Sequence, residues 1–276
     1  MERGALSISP EKYKDVIAKM AEISPMRQLA SCDIISSNVL ELLIQDGIFD
    51  GGWVAETAAR DETETPKLLQ KKIYVHEVYS QPKATQRLLD DSFMNIESWL
   101  IDQIVCSFVA AENAAFINGD GVNKPRGFLT YEEAIEKVSV EEEGEVKALD
   151  LINLLNSLGD RYHANASFLM NRRTLSLIQK IQDENGRFIW QPSLSDKMPE
   201  TIFGIDVYCS SDMPVPEVGN AIIALGDFKA GYKIVDRQGI SLMKDPFTEK
   251  PFVKFYATKR VGGDVIDLSA IKLLTL

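Results

Sequence analysis

Histidine and cysteine are scarce in this chain, which limits the chemistry that it can perform. Of the 276 residues only two are histidines, His76 and His163, and three are cysteines. No His-Glu-x-x-His pattern marks a zinc-binding helix, and no Gly-x-Ser-x-Gly segment marks a nucleophile elbow. The plentiful carboxylates lie in solvated runs, where no acid and base pair stands out. We therefore expect a protein that is not an enzyme, with no catalytic residue, no metal site and no cofactor.

The three cysteines, Cys32, Cys106 and Cys209, have no paired spacing. Structural zinc sites commonly take two cysteines from one short segment, and disulfide frameworks use an even number of them. Apolar residues lie within two positions of each cysteine. The sequence therefore predicts reduced thiols inside the core.

Long apolar runs are also missing from the sequence. Polar residues interrupt the longest runs before the length of about 20 residues that a membrane span needs. No cationic start followed by an apolar stretch marks a signal peptide. With 45% hydrophobic residues the chain can still bury a sizeable core, so we expect a globular protein without membrane contact that stays in the cytoplasm where it is made.

An excess of basic residues is the next absence. The formal net charge is -11, from 30 basic and 41 acidic residues. Sequence-independent binding of nucleic acid depends on lysine and arginine displacing counterions from phosphates, so this charge argues against such binding. An acidic surface keeps a polyanion from adhering.

A long helix is the clearest element that the sequence does contain. Asp91 and Ser92 can cap a helix over residues 92–118, which spans roughly 37 Å from Phe93 to Ile117 at 1.5 Å per residue. Polar residues, including Glu112 and Asn113, fill much of the opposite face. The apolar face repeats at steps of three and four residues: Ile96, Leu100, Ile104, Phe108, Ala111 and Ala115.

A turn punctuated by glycine and proline ends this helix, and we call residues 118–127 the signature turn. Gly119 and Gly121 can adopt the positive φ that a left-handed helix end requires, and Pro125 prevents further helix. Lys124 stands where a dinucleotide fingerprint needs its third glycine, and Val122 where a calcium loop needs an oxygen ligand. The pattern thus favours a structural turn with these defining residues: Asn118, Gly119, Asp120, Gly121, Pro125 and Gly127.

Residues 50–83 predict a long hairpin that extends as a loop. Its outgoing limb is acidic and its return limb is basic, with alternating apolar residues. A two-stranded ribbon has little core of its own, so we expect it to lie on a neighbouring subunit; the alternative is a solvated, charge-rich hairpin. The residues expected at this contact are Trp53, Glu56, Asp61, Glu62, Glu64, Lys67, Lys71 and Lys72.

The second half of the chain alternates helix and strand. Leu149 to Leu158 predicts a helix, Phe168 to Met170 a short buried strand, and Thr174 to Gln182 another helix. Such alternation is typical of a compact α/β domain. An apolar run, Ala221 to Leu225, then precedes Gly-Asp-Phe, and Arg260-Val-Gly-Gly lies near the end.

In their order, these segments resemble the major capsid proteins of tailed bacteriophages, the Hong Kong 97-like family. In that family a backbone helix ends in a similar Asn-Gly-Asp-Gly, followed by Pro and Gly, and the resemblance covers nearly the whole chain. It implies an α+β capsid fold. Its expected parts are an N-terminal arm at residues 1–30, an extended β-hairpin loop at 50–83, a peripheral domain at 31–49, 84–131 and 226–276 with the spine helix 92–118, and an axial α/β domain at 132–225.

The resemblance also implies a function and partners. The chain would be a structural head protein of a tailed phage or prophage, self-assembling through hexamers and pentamers into an icosahedral shell around double-stranded DNA. Portal and scaffolding or protease proteins would be further partners, and the packaged DNA would be enclosed without sequence-specific binding. Encapsulin nanocompartments and gene transfer agents use similar shells and remain alternatives.

Some family members lock the shell by a bond between a loop lysine and a late asparagine. Lys67, Lys71 and Lys72 could donate, but no asparagine follows Asn220. The sequence therefore predicts a shell held by non-covalent contacts.

Overall fold

A computed structural model of the protein describes residue 20 and residues 23–46, 67–91, 96–131, 133–142, 144–182 and 201–276. The helices within these ranges are α1 Pro25–Leu29, α2 Gln86–Asp91, α3 Ile96–Asn118, α4 Ala148–Ser157, α5 Asp160–His163, α6 Arg172–Ile178 and α7 Phe228–Gly231. The strands are β1 Ser31–Ile35, β2 Val39–Asp46, β3 Lys67–Tyr74, β4 His76–Ser80, β5 Lys83–Thr85, β6 Lys137–Ser139, β7 Ser167–Met170, β8 Thr201–Ile202, β9 Ile205–Cys209, β10 Ala221–Gly226, β11 Tyr232–Asp245, β12 Phe252–Val265 and β13 Ile271–Thr275.

The two longest strands, β11 and β12, form the centre of a five-stranded sheet. They pair antiparallel from Tyr232 opposite Val265 to Asp245 opposite Lys254. The strand order is β1-β11-β12-β4, with β5 also paired to β12 and β1 parallel to β11. This sheet therefore joins an early segment of the chain to a late one.

Helix α3 packs on this sheet as the predicted spine. Its start is predicted at residue 92, but residues 92–95 lie outside the described ranges; its end at Asn118 is confirmed. The buried face differs from the prediction, because Ala111 is exposed whereas Glu112 and Asn113 are buried. Both buried polar side chains have partners from the N-terminal segment, which explains why the helix tolerates them.

By length and composition alone, α3 is apolar enough to cross a membrane, so the expectation that every apolar run is too short does not hold for this helix. Half of its most apolar stretch is buried inside the protein. Leu100, Ile104 and Phe108 share a cluster with Val253 and Phe255 of β12. This packing is typical of a core helix.

The second sheet has six strands in the order β6-β13-β10-β7-β9-β8. Every residue of β10 is buried, and Leu154 of α4 and Leu175 of α6 belong to the core beside it. Strand β13 pairs with β10 and β6, although the sequence assigned its residues to the peripheral domain. Ile271 to Leu274 are all buried. A strand buried on both faces lies inside a sheet that is covered on each side, which is the position that β13 has in the second sheet.

Most elements predicted in this half are found. The helix predicted from Leu149 is α4, and the short strand predicted from Phe168 is β7. The helix predicted over Thr174 to Gln182 is α6, which begins and ends earlier. Its start is set by Asn171, whose side chain accepts a hydrogen bond from the amide of Arg173 at 3.0 Å.

Strands β2 and β3 form a separate two-stranded hairpin. They pair from Val39 opposite Tyr74 to Asp46 opposite Lys67. The paired limbs therefore begin well before residue 50, where the prediction starts the hairpin, because the apolar run after Val39 also forms strand. The return limb ends at Tyr74, and β4 and β5 join the five-stranded sheet instead of the hairpin.

The N-terminal segment docks onto α3 through a helix cap. The hydroxyl of Ser24 accepts a hydrogen bond from the amide of Arg27 at 3.2 Å and donates one to Asn113 Oδ1 at 2.6 Å. Pro25 occupies the first helical turn of α1, where no amide hydrogen is needed. The remainder of the predicted arm, residues 1–19 and 21–22, lies outside the described residues.

Candidate assembly site: the signature turn and the hairpin base

The signature turn closes helix α3 with main-chain hydrogen bonds. The amide of Gly119 donates to the carbonyl of Ala115 at 2.8 Å, and the amide of Gly127 donates to the carbonyl of Gly119 at 2.8 Å. The side chain of Asn118 donates to the carbonyl of Asp212 at 2.6 Å. The turn therefore connects the end of the spine to the loop after β9.

Glycine is required in this turn for two different reasons. Gly121 has φ of 80°, as predicted. Gly119 does not have a positive φ, contrary to the prediction; a Cβ there would lie 2.1 Å from the carbonyl oxygen of Pro125. A Cβ at Gly127 would lie 2.4 Å from the carbonyl oxygen of Ile117. Close backbone packing, more than left-handed geometry, excludes larger residues at these two positions.

Asp120 and Lys124 satisfy each other at the exposed edge of the turn. Asp120 Oδ1 accepts the amide hydrogen of Val122 at 2.9 Å, and Lys124 Nζ lies 3.4 Å from Asp120 Oδ2. The hydrogen bond from Val122 holds the pKa of Asp120 below its ordinary value. Its carboxylate is thus engaged in shaping the turn.

The far side of the turn is bonded to the five-stranded sheet. The amide of Arg126 donates to the carbonyl of Gly263 at 3.0 Å, and the phenol of Tyr232 donates to the carbonyl of Arg126 at 2.8 Å. Burial raises the pKa of Tyr232, so its hydroxyl keeps the proton that it donates. A Cβ at Gly263 would lie 2.6 Å from that hydroxyl oxygen.

Lys71 connects the hairpin to this region. Its ammonium group donates to the carbonyl of Val265, lies 3.3 Å from the hydroxyl of Tyr131 and lies 3.4 Å from Asp264 Oδ1. Tyr131 donates to Asp264 Oδ1 at 2.7 Å, and the guanidinium of Arg126 stacks 3.8 Å from the centre of its aromatic ring. We call Lys71, Arg126, Tyr131 and Asp264 the hairpin-base cluster.

Lys72, the next residue of β3, lies on the opposite face of the hairpin. Its ammonium group is 2.9 Å from Glu41 Oε1 in a pair of exposed side chains, across the two strands. Lys67 begins β3, opposite Asp46. The remaining residues expected at the neighbour contact lie outside the described residues: Trp53, Glu56, Asp61, Glu62 and Glu64.

Apolar side chains on both strands of the hairpin face solvent. Leu43 of β2 is 71% exposed, and Leu68 and Leu69 of β3 are 65% and 53% exposed. Monomeric proteins rarely leave several large apolar side chains together on one small element. The hairpin is therefore a candidate contact surface.

A fully buried group of four charges was missed by the sequence analysis. Arg27 of α1 lies 2.7 Å from Glu112 of α3 and 2.8 Å from Asp236 of β11, while Lys259 of β12 lies 2.6 Å from Glu112 and 3.2 Å from Asp236. Each cation thus contacts both carboxylates. All four side chains are at most 4% exposed, and we call them the buried quartet.

Within the quartet, Arg27 and Asp236 keep their charges because their partners compensate for burial. Burial alone would raise the pKa of Asp236, but hydrogen bonds from Arg27 and the charges of Lys259 and Arg27 lower it. Burial likewise opposes charge on Arg27, whose bonds to Asp236 and Glu112 nevertheless raise its pKa. One sequence signal was present: Glu112 lies four residues from both Phe108 and Phe116, which are buried.

The cysteines and histidines take ordinary positions. Cys32 and Cys106 are exposed and Cys209 is half-buried, so the prediction of core cysteines is wrong; none of the three forms a disulfide bond. His163 Nε2 lies 3.0 Å from the carbonyl oxygen of Leu158 near the end of α5. Among the described residues, no group of three His, Cys, Asp or Glu side chains is placed to hold a metal ion.

A body of two sheets joined by a spine helix, with an outlying hairpin that exposes apolar side chains, defines a structural subunit. The phage capsid family model matches residues 4–276, and the chain belongs to this family. It is a structural major capsid protein of a phage-like particle.

Solved structures agree with this assignment. The capsid of a native GTA particle shares 41% identity, with 91% of this chain and 89% of that chain covered and a TM-score of 0.81. The capsid of an empty GTA particle shares 42% identity, with 92% and 90% covered and the same TM-score. A structure from Mycobacterium phage Bobi shares the fold at 14% identity, with 91% and 90% covered and a TM-score of 0.68. Comparison with curated proteins found no match.

Proposed function

We propose that the chain assembles through hexamers and pentamers into an icosahedral shell that encloses double-stranded DNA in a tailed phage or prophage particle. The observation that carries the proposal is the match of the phage capsid family model to residues 4–276. Self-association follows from membership of a capsid family. Closed rings arise when one subunit surface binds a different surface of the next copy and the rotation closes.

A gene transfer agent shell is the second candidate, and one observation favours it specifically. Two GTA capsids match at 41% and 42% identity, whereas the phage capsids compared share 12% to 16%. The two candidates share the same subunit and the same shell. They differ in the DNA inside, which is the particle's own genome in a phage and host DNA in a gene transfer agent.

The hairpin is the proposed contact with a neighbouring subunit. Its exposed Leu43, Leu68 and Leu69 supply apolar area, and the predicted loop between its strands supplies the charged residues Glu56, Asp61, Glu62 and Glu64. Charges at such a contact fix register more than affinity. The signature turn supports the contact from within the subunit, since it joins α3 to β12.

The capsid divisions named in the sequence analysis are part of the proposal. We assign residues 1–30 to an arm, residues 39–74 to the hairpin and its loop, residues 132–225 together with β13 to the axial domain, and the rest to the peripheral domain. Portal and scaffolding or protease proteins are the proposed partners, and host cytoplasm is the proposed place of synthesis. The shell is proposed to be non-covalent, in keeping with Lys71 being engaged inside its own subunit.

Electron microscopy of the purified protein, with light scattering across protein concentrations, tests the assembly. We expect closed shells or capsomer rings; a strict monomer under all conditions, with scaffolding proteins added, would contradict the proposal. Sequencing the DNA from native particles then separates the two candidates. Random host fragments indicate a gene transfer agent, and one repeated genome indicates a phage.

The hairpin contact needs its own variants. Replacing residues 47–66 by Asn-Gly joins Asp46 to Lys67, which already face each other, by a two-residue turn. This variant should fold as a subunit but fail to form shells. A second variant, with Leu43 and Leu68 both changed to Ser, tests the strand faces, and Val218→Ser is the control at an exposed position outside the hairpin. Normal shells from both hairpin variants would remove the role proposed for it.

A further inference from the structure

The hairpin meets the rest of the subunit at its Tyr74 end. The main chain of Tyr74 passes so close to β12 that a Cβ at Gly262 would lie 2.4 Å from its carbonyl oxygen. Ile73 is buried there, and the amide of Val75 donates to the carbonyl of Asn38 at 3.1 Å. On β3 and at its end these contacts all lie at residues 73–75, so they constrain the start of the hairpin more than its direction.

A second contact lies at Lys71, three residues before Tyr74 in β3. Its ammonium group binds the carbonyl of Val265, the hydroxyl of Tyr131 and the carboxylate of Asp264. The Lys71 side chain is 24% exposed, against 45% for Lys72 on the other face. Two separated points of attachment define a direction, which a single point cannot do.

Tyr131 carries this second contact to the signature turn. Its hydroxyl donates to Asp264, and Arg126 stacks against its aromatic ring. Burial and the neighbouring Asp264 raise the pKa of Tyr131, so the phenol remains a donor. Arg126 is itself held through its main chain by Gly263 and Tyr232.

We propose that Tyr131 and Lys71 are positioning residues that set the direction in which the hairpin leaves the subunit, by tying it to the signature turn. This inference rests on the proposed role of the hairpin as the contact with a neighbour. It links the signature turn to assembly through the direction of the hairpin. Lys71 acts through Tyr131 and Asp264 within its own subunit.

A spin-label distance measurement on the subunit tests this directly. Labels are placed at Leu68→Cys on the hairpin and Val218→Cys on the body, after Cys32, Cys106 and Cys209 are changed to Ser. The unaltered cluster should give one distance peak. Lys71→Met should replace it with a broad distribution, because the hairpin then pivots about the contact between Tyr74 and Gly262.

The neighbouring residue supplies a matched control. Lys72→Met removes a lysine from the same strand with the same loss of charge, and it should leave the single peak in place. Tyr131→Phe keeps the ring against Arg126 and removes only the hydroxyl, so it tests the link if Lys71→Met does not fold. A single unchanged peak in both Lys71→Met and Tyr131→Phe would overturn the inference.

The readout is independent of shell formation. A broadened distance in Lys71→Met supports the positioning role even if the purified subunit never assembles. Failure to assemble therefore counts against the proposed function, while an unchanged distance counts against the positioning residues.

Discussion

The buried quartet and the hairpin-base cluster combine similar groups in different surroundings. Each joins distant segments through cations and carboxylates at hydrogen-bonding distance. The quartet is at most 4% exposed, whereas Lys71 and Asp264 in the cluster are 24% and 14% exposed. Removing a partner from a dry site leaves an uncompensated charge, but water can compensate at the cluster. Because it is buried, the quartet determines the stability of the fold. The partly exposed cluster contributes less to stability, and its proposed role is to set the direction of the hairpin.

Removing one charge of the quartet should have the largest effect on stability. Glu112→Gln leaves Arg27 and Lys259 with Asp236 alone, and we expect the free energy of unfolding to fall by about 3–5 kcal/mol. Chemical denaturation measures the loss. Glu97→Gln is the control on the same helix, since Glu97 is exposed; an equal loss in both variants would refute the special role of the quartet.

A steric change at the signature turn should have the next largest effect. In Gly127→Ala the new methyl group meets the carbonyl of Ile117, and the required backbone shift should cost about 1–3 kcal/mol. Gly159→Ala is the control, because a Cβ there lies 3.7 Å from the ring of Tyr162 in ordinary contact. Thermal unfolding of the two variants gives the difference, and equal melting temperatures would contradict the packing argument.

Acid weakens the quartet by protonating Asp236. The pKa of Asp236 is below its ordinary value of 3.8 in the folded protein, so its contribution is present above pH 3.8 and is lost as pH falls through the folded pKa. One proton corresponds to a slope of at most about 1.4 kcal/mol per pH unit.

The matched variant for this titration replaces all four charges: Arg27→Met, Glu112→Met, Asp236→Val and Lys259→Met together. Its unfolding free energy should decline less steeply below pH 3.8 than that of the unchanged protein. Buried ion pairs replaced by apolar residues of similar volume often leave proteins folded. Parallel declines in the two proteins would show that other carboxylates carry the acid dependence.

Removing an exposed ion pair should have the smallest effect on stability. Arg260 lies 3.1 Å from Glu77, and both side chains are 45% exposed. Arg260→Gln should change stability by about 0–1 kcal/mol, because water already screens this pair. Denaturation at low and high salt is the measurement. A loss of unfolding free energy as large as that of Glu112→Gln would contradict the claim that buried charges matter more than exposed ones.

Local signals in the sequence predicted the parts of the fold that depend on neighbouring residues. Helix α3 ends at Asn118 because glycines follow it, and β10 is apolar throughout because it is buried on both faces. The quartet depends on contacts between residues 209 positions apart, such as Arg27 and Asp236, and no local pattern encodes them. The place of β13 in the second sheet escaped prediction for the same reason.

In the candidate site, too, local features were predicted from the sequence and long-range contacts were not. The turn residues were found from glycine and proline spacing, although the role of Gly119 proved to be close packing instead of positive φ. Lys71 was singled out as part of a charged limb, but its engagement with Tyr131 and Asp264 requires the three-dimensional approach of β3 to β12. The positions of Cys32 and Cys106 at the surface likewise depend on which face of an element meets the core.

The sequence separation within the quartet also bears on the order of events during synthesis. Arg27 emerges from the ribosome early, but its partner Asp236 and the balancing cation Lys259 emerge only after most of the chain has been made. Contacts of such long range form late. Until Lys259 is available, the N-terminal helix cannot be held in its dry site with its charges matched. We therefore expect a nascent chain to remain loosely docked at its start until β12 is complete, which delays the appearance of an assembly-ready surface on unfinished subunits.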